Sequence, residues 1–352
     1  MKNKIKILHV AEALKGGVET YLKSLISSLN EKGIESYLLV KEDVPWLEKS
    51  KVYHYDRGPR SILGLFKLAR MYVKLVKKLN IDVIHLHGTF SGLVCRLTKV
   101  FTRRVPIIYC SHGWAYSMDK KNITKCLYKT IEYLLSFLCE KIVCISHYDF
   151  SIKVTPSNKT VLIENAITDN FGDEYIKPQK KKLLFVGRFD YQKGIDILLN
   201  AFKKASVNYE LIVVGGAVHG KDINIDEYPN VTFLGWLSGD DLHKVYLESS
   251  AVVIPSRWEG FGLVAIEAMS ASRTIFTSGV GGLMHLTKLV DGSVFKNEGE
   301  LIALLEEFDF YSEEKIQKLG HKARVSFTTN YSIERLNSEV LGLYKSVYRK
   351  KK

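Results

Sequence analysis

A chain of 352 residues exceeds one ordinary domain and fits two of about 150 to 200 residues, each large enough to bury its own core. A hydrophobic share of 46% beside 25% charged residues excludes a disordered chain, and no apolar run reaches the roughly 18 residues of a membrane-spanning helix. The net charge of +13 points to an anionic partner, whether nucleic acid, an anionic membrane surface or a phosphate-bearing substrate, and says nothing of the fold.

The N-terminus, MKNKIKILHVAEAL, has the lysines of a signal peptide, but its short apolar run leads straight into a glycine turn. It reads as a first strand, Lys4 to Val10, and hence as a cytoplasmic protein. Gly16 and Gly17 follow, then a helix from Val18 to Leu29. A strand, a glycine pair and a helix N-terminus can hold an anion or can simply make a tight turn; the residues alone leave both open. Further strands are expected at Ser36 to Val40, Val83 to Leu86, Ile107 to Cys110, Ile142 to Ile145 and Val161 to Glu164. Helices are expected around 61–79, 90–101 and 122–139. This alternation predicts a parallel, doubly wound sheet with ligands at the carboxyl ends of its strands. The helical stretches LFKLARMYVKLVKKL and SGLVCRLTKVFTRR set apolar residues at helical spacing among lysines and arginines. That pattern suits a membrane surface or, equally, a solvated basic face.

Strand ends select the polar residues to watch. A lone histidine is more often a satisfied structural residue, which is the reading for His85, His87 and His147. His112 is different, because Gly113 permits an exposed turn and Trp114 offers an indole to the apolar face of a sugar. The five cysteines, Cys95, Cys110, Cys126, Cys139 and Cys144, are odd in number and lack C-x-x-C spacing, so neither a disulfide framework nor a zinc site is indicated.

The stretch from Asn165 to Lys182 turns polar, with Pro178 and four lysines near its end, and reads as a linker over 168–181 between domains at 1–167 and 182–330. The second domain opens with the strand Leu183 to Val186, after which Gly187, Arg188, Lys193 and Gly194 surround a turn. Two cations at the mouth of a parallel sheet fit a diphosphate, arginine as a planar fork and lysine as a mobile charge. Strands at Leu211 to Val214, closed by Gly215 and Gly216, and at Val231 to Leu234, closed by Gly235 and Trp236, come next. Ser238 is expected to cap the helix GDDLHKVY, and Asp240 and Asp241 are first-turn carboxylates that favour the helix dipole, not a metal site.

After the buried strand Ala251 to Ile254 comes Glu259-Gly260-Phe261-Gly262-Leu263-Val264-Ala265-Ile266-Glu267. The glycines allow close approach of a ligand, and a helix opening near Phe261 or Gly262 aims free amides and a positive dipole end at the turn, which suits a phosphate. Glu267 lies about one turn further, roughly 6 Å along the axis, where a carboxylate matches the vicinal hydroxyls of a ribose. Glu259 is left for a second polyol. The bland alternative is one loop glutamate and one on a solvated helix face. Thr274 to Thr277 is the last strand foreseen, and a terminal helix runs over 331–352.

The segment from Glu259 to Glu267 resembles the E-x7-E signature of the family-four retaining glycosyltransferases, and the turn carrying Arg188 and Lys193 resembles that family's donor-phosphate motif. The resemblance covers essentially the whole chain. It implies the GT-B fold, α/β, with two Rossmann-like doubly wound parallel-sheet domains facing a central cleft, and a terminal helix that crosses back to the first domain. It also implies that His112, in Ser-His-Gly-Trp, hydrogen-bonds the donor sugar, and that the nucleotide base stacks near the strand end at Trp236. Family members often carry proline-asparagine-glycine where this chain has Glu164-Asn165-Ala166, so Asn165 alone is retained, on the acceptor side with Trp114. They commonly place an acidic residue about three positions beyond a glycine pair, whereas Leu283, Met284 and His285 follow Gly281-Gly282 here, which puts sugar selectivity in question.

The chemistry so implied is transfer of a hexose or N-acetylhexosamine from a nucleotide-sugar, UDP-linked by family habit, to a saccharide or polyprenyl-linked oligosaccharide in surface-polysaccharide assembly, such as O-antigen or capsule. His112, Arg188, Lys193 and Glu259 are the expected catalytic residues. Gly16, Gly17, Gly187, Gly215, Trp236, Gly260, Phe261, Gly262, Leu263 and Glu267 complete the donor-binding set. No cofactor and no metal is expected, since no convincing ligand spacing appears and the two cations offer an alternative. An epimerase or phosphorylase of the same fold is the runner-up. A nucleic-acid-binding protein lacks its recognised modules, and a dinucleotide oxidoreductase lacks G-x-G-x-x-G after the first strand.

Overall fold

Short runs of branched apolar residues such as Ala251–Ile254 and Thr274–Thr277, buried at every position, form strands covered on both faces, which is the environment of a parallel sheet. In the computed structural model, residues 4–12, 14, 17–55, 62–172, 176–178, 181–217 and 224–351 are described. The chain divides into two compact units, Met1–Ala166 with Ile333–Lys352, and Ile167–Ser332.

Unit 1 runs β1 (Lys6–Ala11), α1 (Gly17–Glu31), β2 (Glu35–Val40), β3 (Val52–His54), α2 (Ile62–Lys78), β4 (Val83–His87), α3 (Thr89–Leu97), β5 (Ile107–Cys110), α4 (Asn122–Ser136), β6 (Lys141–Cys144), α5 (His147–Ser151) and β7 (Thr160–Leu162). All neighbours pair parallel, in the order β3-β2-β1-β4-β5-β6-β7. Unit 2 runs β8 (Lys182–Val186), α6 (Ile195–Lys204), β9 (Glu210–Val214), β10 (Val231–Gly235), α7 (Gly239–Glu248), β11 (Ala251–Ile254), α8 (Leu263–Ser270), β12 (Thr274–Thr277), α9 (Leu283–Leu289), β13 (Ser293–Val294), α10 (Glu298–Asp309) and α11 (Glu313–Asn330). Its parallel sheet is ordered β10-β9-β8-β11-β12-β13. The last helix, α12 (Ile333–Lys351), completes unit 1 by packing on α1 and β4. In both sheets the order reverses beside the first strand of the unit, so the loops leaving the carboxyl ends diverge there and open a crevice.

The two faces of the unit 1 sheet differ in chemistry. Leu8, Val10, Ile84, Leu86, Ile107 and Tyr109 belong to a large apolar core. The residues alternating with them on β1, β4 and β5, namely His9, His85, His87 and Cys110, turn to the opposite face and are themselves fully buried. On the apolar face, Gly92 lets α3 lie against Tyr109, since a Cβ there would fall 2.4 Å from that ring. Arg96, one helical turn further, stacks its guanidinium 3.9 Å from the Tyr109 ring and donates to Glu132 of α4 at 2.8 Å. Tyr109 donates its hydroxyl to the same carboxylate at 3.1 Å, so a buried ion pair joins α3, β5 and α4.

Several expectations are corrected here. The segment 168–181 is not a free linker where described: Asp169 receives both Arg324 nitrogens, Phe171 packs on Tyr246, and Lys181 donates to the carbonyls of Phe308, Asp309 and Tyr311. Ser238 sits at the α7 N-cap but makes no side-chain cap. Trp114 is 1% exposed, stacks on Tyr116 and donates Nε1–H to the Asp149 carbonyl. The indole is core, not a sugar wall. Asn165 is likewise buried, at 4% exposed, and its backbone carbonyl accepts from Arg335 at 3.2 Å. The short β3 and β13 were not foreseen, because two or three residues are too few to show a period.

Removing one partner of the buried Arg96–Glu132 pair leaves a charge stranded in the core. Glu132→Leu should lower the unfolding free energy by about 3 to 5 kcal/mol, and Arg96→Met in the same chain should restore most of it. Urea midpoints of the single and double variants check this.

Candidate active site

Unit 2 gathers the sequence-predicted residues at the carboxyl ends of β8, β9, β10 and β11. Gly194, in the left-handed region at φ 67°, lets the turn after β8 lie on the end of β11, where a Cβ would fall 2.1 Å from the Pro255 carbonyl oxygen. That contact carries Lys193 across to Glu259, which it meets at 2.7 Å with both side chains less than one-fifth exposed. Ser256 donates a longer bond to the same carboxylate oxygen at 3.4 Å. Arg188 is held by Gln192 at 3.0 Å and by Asp190 at 3.1 Å, and Gln192 in turn donates to the Trp258 carbonyl. Both cations expected to meet a diphosphate are therefore balanced within the chain, and Lys193 is balanced by the carboxylate expected to hold sugar hydroxyls.

The glycines also bring backbone close to backbone. Gly215, at φ 132°, would put a Cβ 1.8 Å from the Gly187 carbonyl oxygen, and Gly281, at φ 57°, would put one 1.8 Å from the Glu259 carbonyl oxygen. A Cβ on Gly262 would meet Leu283 at 2.6 Å. These positions bring turn against turn, so Gly187, Gly215 and Gly262 shape the rim through protein packing. Leu283, standing in the stretch where the resembling enzymes carry a carboxylate, is fully buried against that rim. Phe261 is also buried, edge-on to Tyr331, which leaves only its backbone for a ligand. Trp236 is 60% exposed beside Gly216, as a stacking surface would be. Gly260 and Leu263 are half-buried between these groups.

Helix α8 starts at Leu263 with Gly262 as its cap, and Gly262 supplies no side chain to close the first amides. Glu267, on the second turn, accepts the Tyr246 hydroxyl at 2.8 Å. Burial raises its pKa from the ordinary carboxylate value, opposed by the Tyr246 hydrogen bond and by Lys193 and His243. A carboxylate so placed gains from further donors, and a pair of vicinal hydroxyls supplies two. Tyr246 was missed from the sequence, as were Asp190, Gln192 and Ser256, since nothing local marks a buried tyrosine on a neighbouring helix as the support of a glutamate.

Unit 1 contributes His112. Its φ of 54° is a left-handed conformation uncommon outside glycine, and Gly113 follows at φ 104°. His112 Nε2 lies 3.0 Å from His87 Nδ1, and the Tyr21 ring meets it edge-on at 4.9 Å. Burial lowers its pKa to about 4, so the ring is neutral. His87 and His85 are buried, and His147 is half-exposed. Gly17 opens α1, whereas Gly16 lies outside the described residues.

Two family profiles match, "Glycosyltransferase Family 4" over residues 15–168 and "Glycosyl transferases group 1" over 167–326. The chain belongs to the family-four glycosyltransferases. An uncharacterized 41.2 kDa protein in the cps region of Klebsiella pneumoniae is 29% identical to this transferase, over 88% of its chain and 92% of the relative's. The UDP-Gal:alpha-D-GlcNAc-diphosphoundecaprenol alpha-1,3-galactosyltransferase of Escherichia coli is 25% identical over 81% and 82%. Among solved structures, Anabaena HepE in complex with UDP-glucose aligns with a TM-score of 0.79 at 18% identity, covering 97% of this chain and 100% of that one. The transferase thus has the GT-B fold, each unit built on its own parallel sheet.

The histidine face of unit 1 makes stability depend on acid. His9 is fully buried and its pKa is lowered to about 3 by burial, against about 6.5 in the unfolded chain. Below pH 6.5 the unfolded chain takes up a proton that the folded one refuses, so stability present above that value falls as the pH drops, by about 1.4 kcal/mol per pH unit for each such group. Urea unfolding followed from pH 7 to pH 5 at constant ionic strength should show a steadily falling midpoint; a flat profile contradicts it.

Proposed function

We propose that this transferase moves a hexose or N-acetylhexosamine, with retention of anomeric configuration and without a metal ion, from a UDP-sugar to a saccharide acceptor carried on a polyprenyl lipid in cell-surface polysaccharide assembly. The observation that carries the reading is the pairing, at the strand ends of unit 2, of Lys193 with Glu259 and of Tyr246 with Glu267. Each pairing holds a carboxylate in fixed orientation near the start of α8. The relatives' names support the class of donor and acceptor, since one lies in a cps region and another uses UDP-Gal on a diphosphoundecaprenol acceptor.

In this reading Glu267 receives the ribose hydroxyls, while Arg188, Lys193 and the first amides of α8 receive the diphosphate. Lys193 exchanges Glu259 for a phosphate oxygen as the donor binds, which frees Glu259 for hydroxyls of the sugar. His112 orients that sugar. The bond from the anomeric carbon to the phosphate oxygen breaks, the acceptor oxygen bonds to the same face of that carbon, and the acceptor's proton passes to the departing phosphate. Groups already aimed at the developing phosphate charge lower the barrier because they need not reorganise when the bond breaks.

Calorimetric titration of the protein with UDP, GDP, ADP and NAD, in the presence of a chelator, tests the donor half. UDP alone should bind well, and Glu267→Ala should weaken it by about 1.5 to 3 kcal/mol for hydrogen bonds to a charged group. Arg188→Ala should lower kcat by about 10² to 10³, as removal of one such electrostatic donor does elsewhere. Unchanged binding in Glu267→Ala would remove the nucleotide reading, and an inverted product by NMR would remove the mechanism.

No described helix is long and apolar enough to cross a membrane, yet unit 1 carries a surface suited to lie on one. On α4 and its C-cap, Ile123, Leu127, Leu134 and Phe137 are more than half exposed and recur on one side of the helix, with Lys120, Lys121 and Lys129 exposed nearby. Leu63 and Phe66 of α2 and Leu97 at the end of α3 are similarly open. The helix turns its charged Glu132 inward beside Leu135 and leaves Ile123, Leu127 and Leu134 outside. We infer that this face rests on an anionic lipid surface. The protein should sediment with phosphatidylglycerol vesicles, be released by salt, and lose most of that binding in Leu127→Glu/Leu134→Glu; equal binding to phosphatidylcholine would contradict the reading.

A further inference from the structure

His112 does not stand alone at the end of β5. His87 Nδ1 lies 3.0 Å from His112 Nε2, and His87 Nε2 lies 3.1 Å from His9 Nδ1, so three rings form a chain from the sheet interior to the strand end. The register makes this possible: on the parallel β1 and β4, His9 stands beside His85, and His87 lies two residues further on the same face, beside Cys110 of β5. Burial keeps His9, His87 and His112 unprotonated, with the neighbouring histidines also opposing charge on His87.

A neutral imidazole has one N–H and one lone pair, so a ring bonded through both nitrogens must donate at one and accept at the other. The chain therefore runs in one of two directions. In one, His9 donates to His87, His87 donates to His112 Nε2, and His112 keeps its proton on Nδ1. In the other, every proton moves the opposite way. His9 Nε2 decides between them, because it is buried without a hydrogen-bond partner. The second direction would place an N–H there, and orphaned buried N–H groups are the rarer outcome, whereas the first leaves only a lone pair.

We propose that His87 is a positioning residue: backed by His9, it donates Nδ1–H to His112 Nε2 and so fixes His112 as the Nδ1–H tautomer, a hydrogen-bond donor at the carboxyl end of β5. The proposal deepens, and rests on, the assignment of His112 to the donor sugar. His112 Nδ1 has no hydrogen-bond partner among the described residues and is available to a ligand oxygen. A sugar hydroxyl or ring oxygen accepts from an N–H, and a neutral donor does not oppose the positive charge that builds on the anomeric carbon. The other tautomer would present a lone pair, which repels a ring oxygen and which a hydroxyl meets only by turning its own O–H toward it.

The test pairs a spectroscopic readout with a kinetic one. In 15N-labelled protein, two-bond nitrogen–proton correlations should show His112 with a protonated Nδ1 and a bare Nε2. His87→Asn places an amide N–H close to the position of Nδ1 and should keep that tautomer, while His87→Leu removes the donor and should give a mixture. With a UDP-sugar substrate, His87→Leu should lower kcat on the order of a hundredfold through misplacement of a bound group, with the nucleotide KM unchanged, and His87→Asn should recover much of the loss. A protonated Nε2 on wild-type His112, or equal rates in the two variants, overturns the proposal. The tautomer is read without turnover, so its failure is distinguishable from failure of the transferase reading, which the nucleotide titrations decide.

Discussion

The site in unit 2 depends on backbone lying directly on backbone at the ends of parallel strands. Parallel sheets bring every strand-end turn to the same edge, and those turns must either diverge or touch. Here they touch, at Gly194 over the Pro255 carbonyl, at Gly215 over the Gly187 carbonyl and at Gly281 over the Glu259 carbonyl. A side chain at any of the three would push its turn away by more than an ångström. Lys193 would then lose its reach to Glu259, and the segment leading into α8 would lose its support from the turn before α9.

That constraint explains how fixed charges coexist in a small space. Arg188 has Asp190 and Lys193 has Glu259 as a partner, so each of these two cations is balanced locally. Under the proposed function, a diphosphate would meet donors already in position and exchange partners with them, which costs less than ordering free side chains would. Tyr246 does the same for Glu267 from the fully buried side of α7.

Unit 1 solves a different problem. One face of its sheet is an ordinary apolar core, while the other buries His9, His85 and His87 under helices that supply tyrosines, with the Tyr344 hydroxyl of α12 2.7 Å from His85 Nδ1. Buried polar rings demand partners, and His9, His87 and His112 find them in one another while His85 meets Tyr344. The single ring that reaches the strand end, His112, is held in a left-handed conformation that only its surroundings can maintain.

Local patterning determined a good deal. Alternation of apolar strands with amphipathic helices was enough for two parallel sheets, since burial on both faces leaves a run such as Leu211 to Val214 no other place to go. The spacing of Glu259 and Glu267 around two glycines and the order of Arg188 before Lys193 were sufficient to mark a ligand-binding edge and its family. What tertiary structure alone decided are contacts between distant positions. Lys193 and Glu259 are 66 residues apart and His9 and His87 are 78 apart, and no local period encodes which side chains meet across a sheet. Trp114 shows the reverse error: an aromatic residue beside an exposed turn looks available for a sugar, yet α5 supplies a buried carbonyl for its N–H and the indole belongs to the core. Register and burial are properties of the assembled sheet, and they decided which of the polar residues named by the sequence are enclosed by protein groups and which stand at the strand ends.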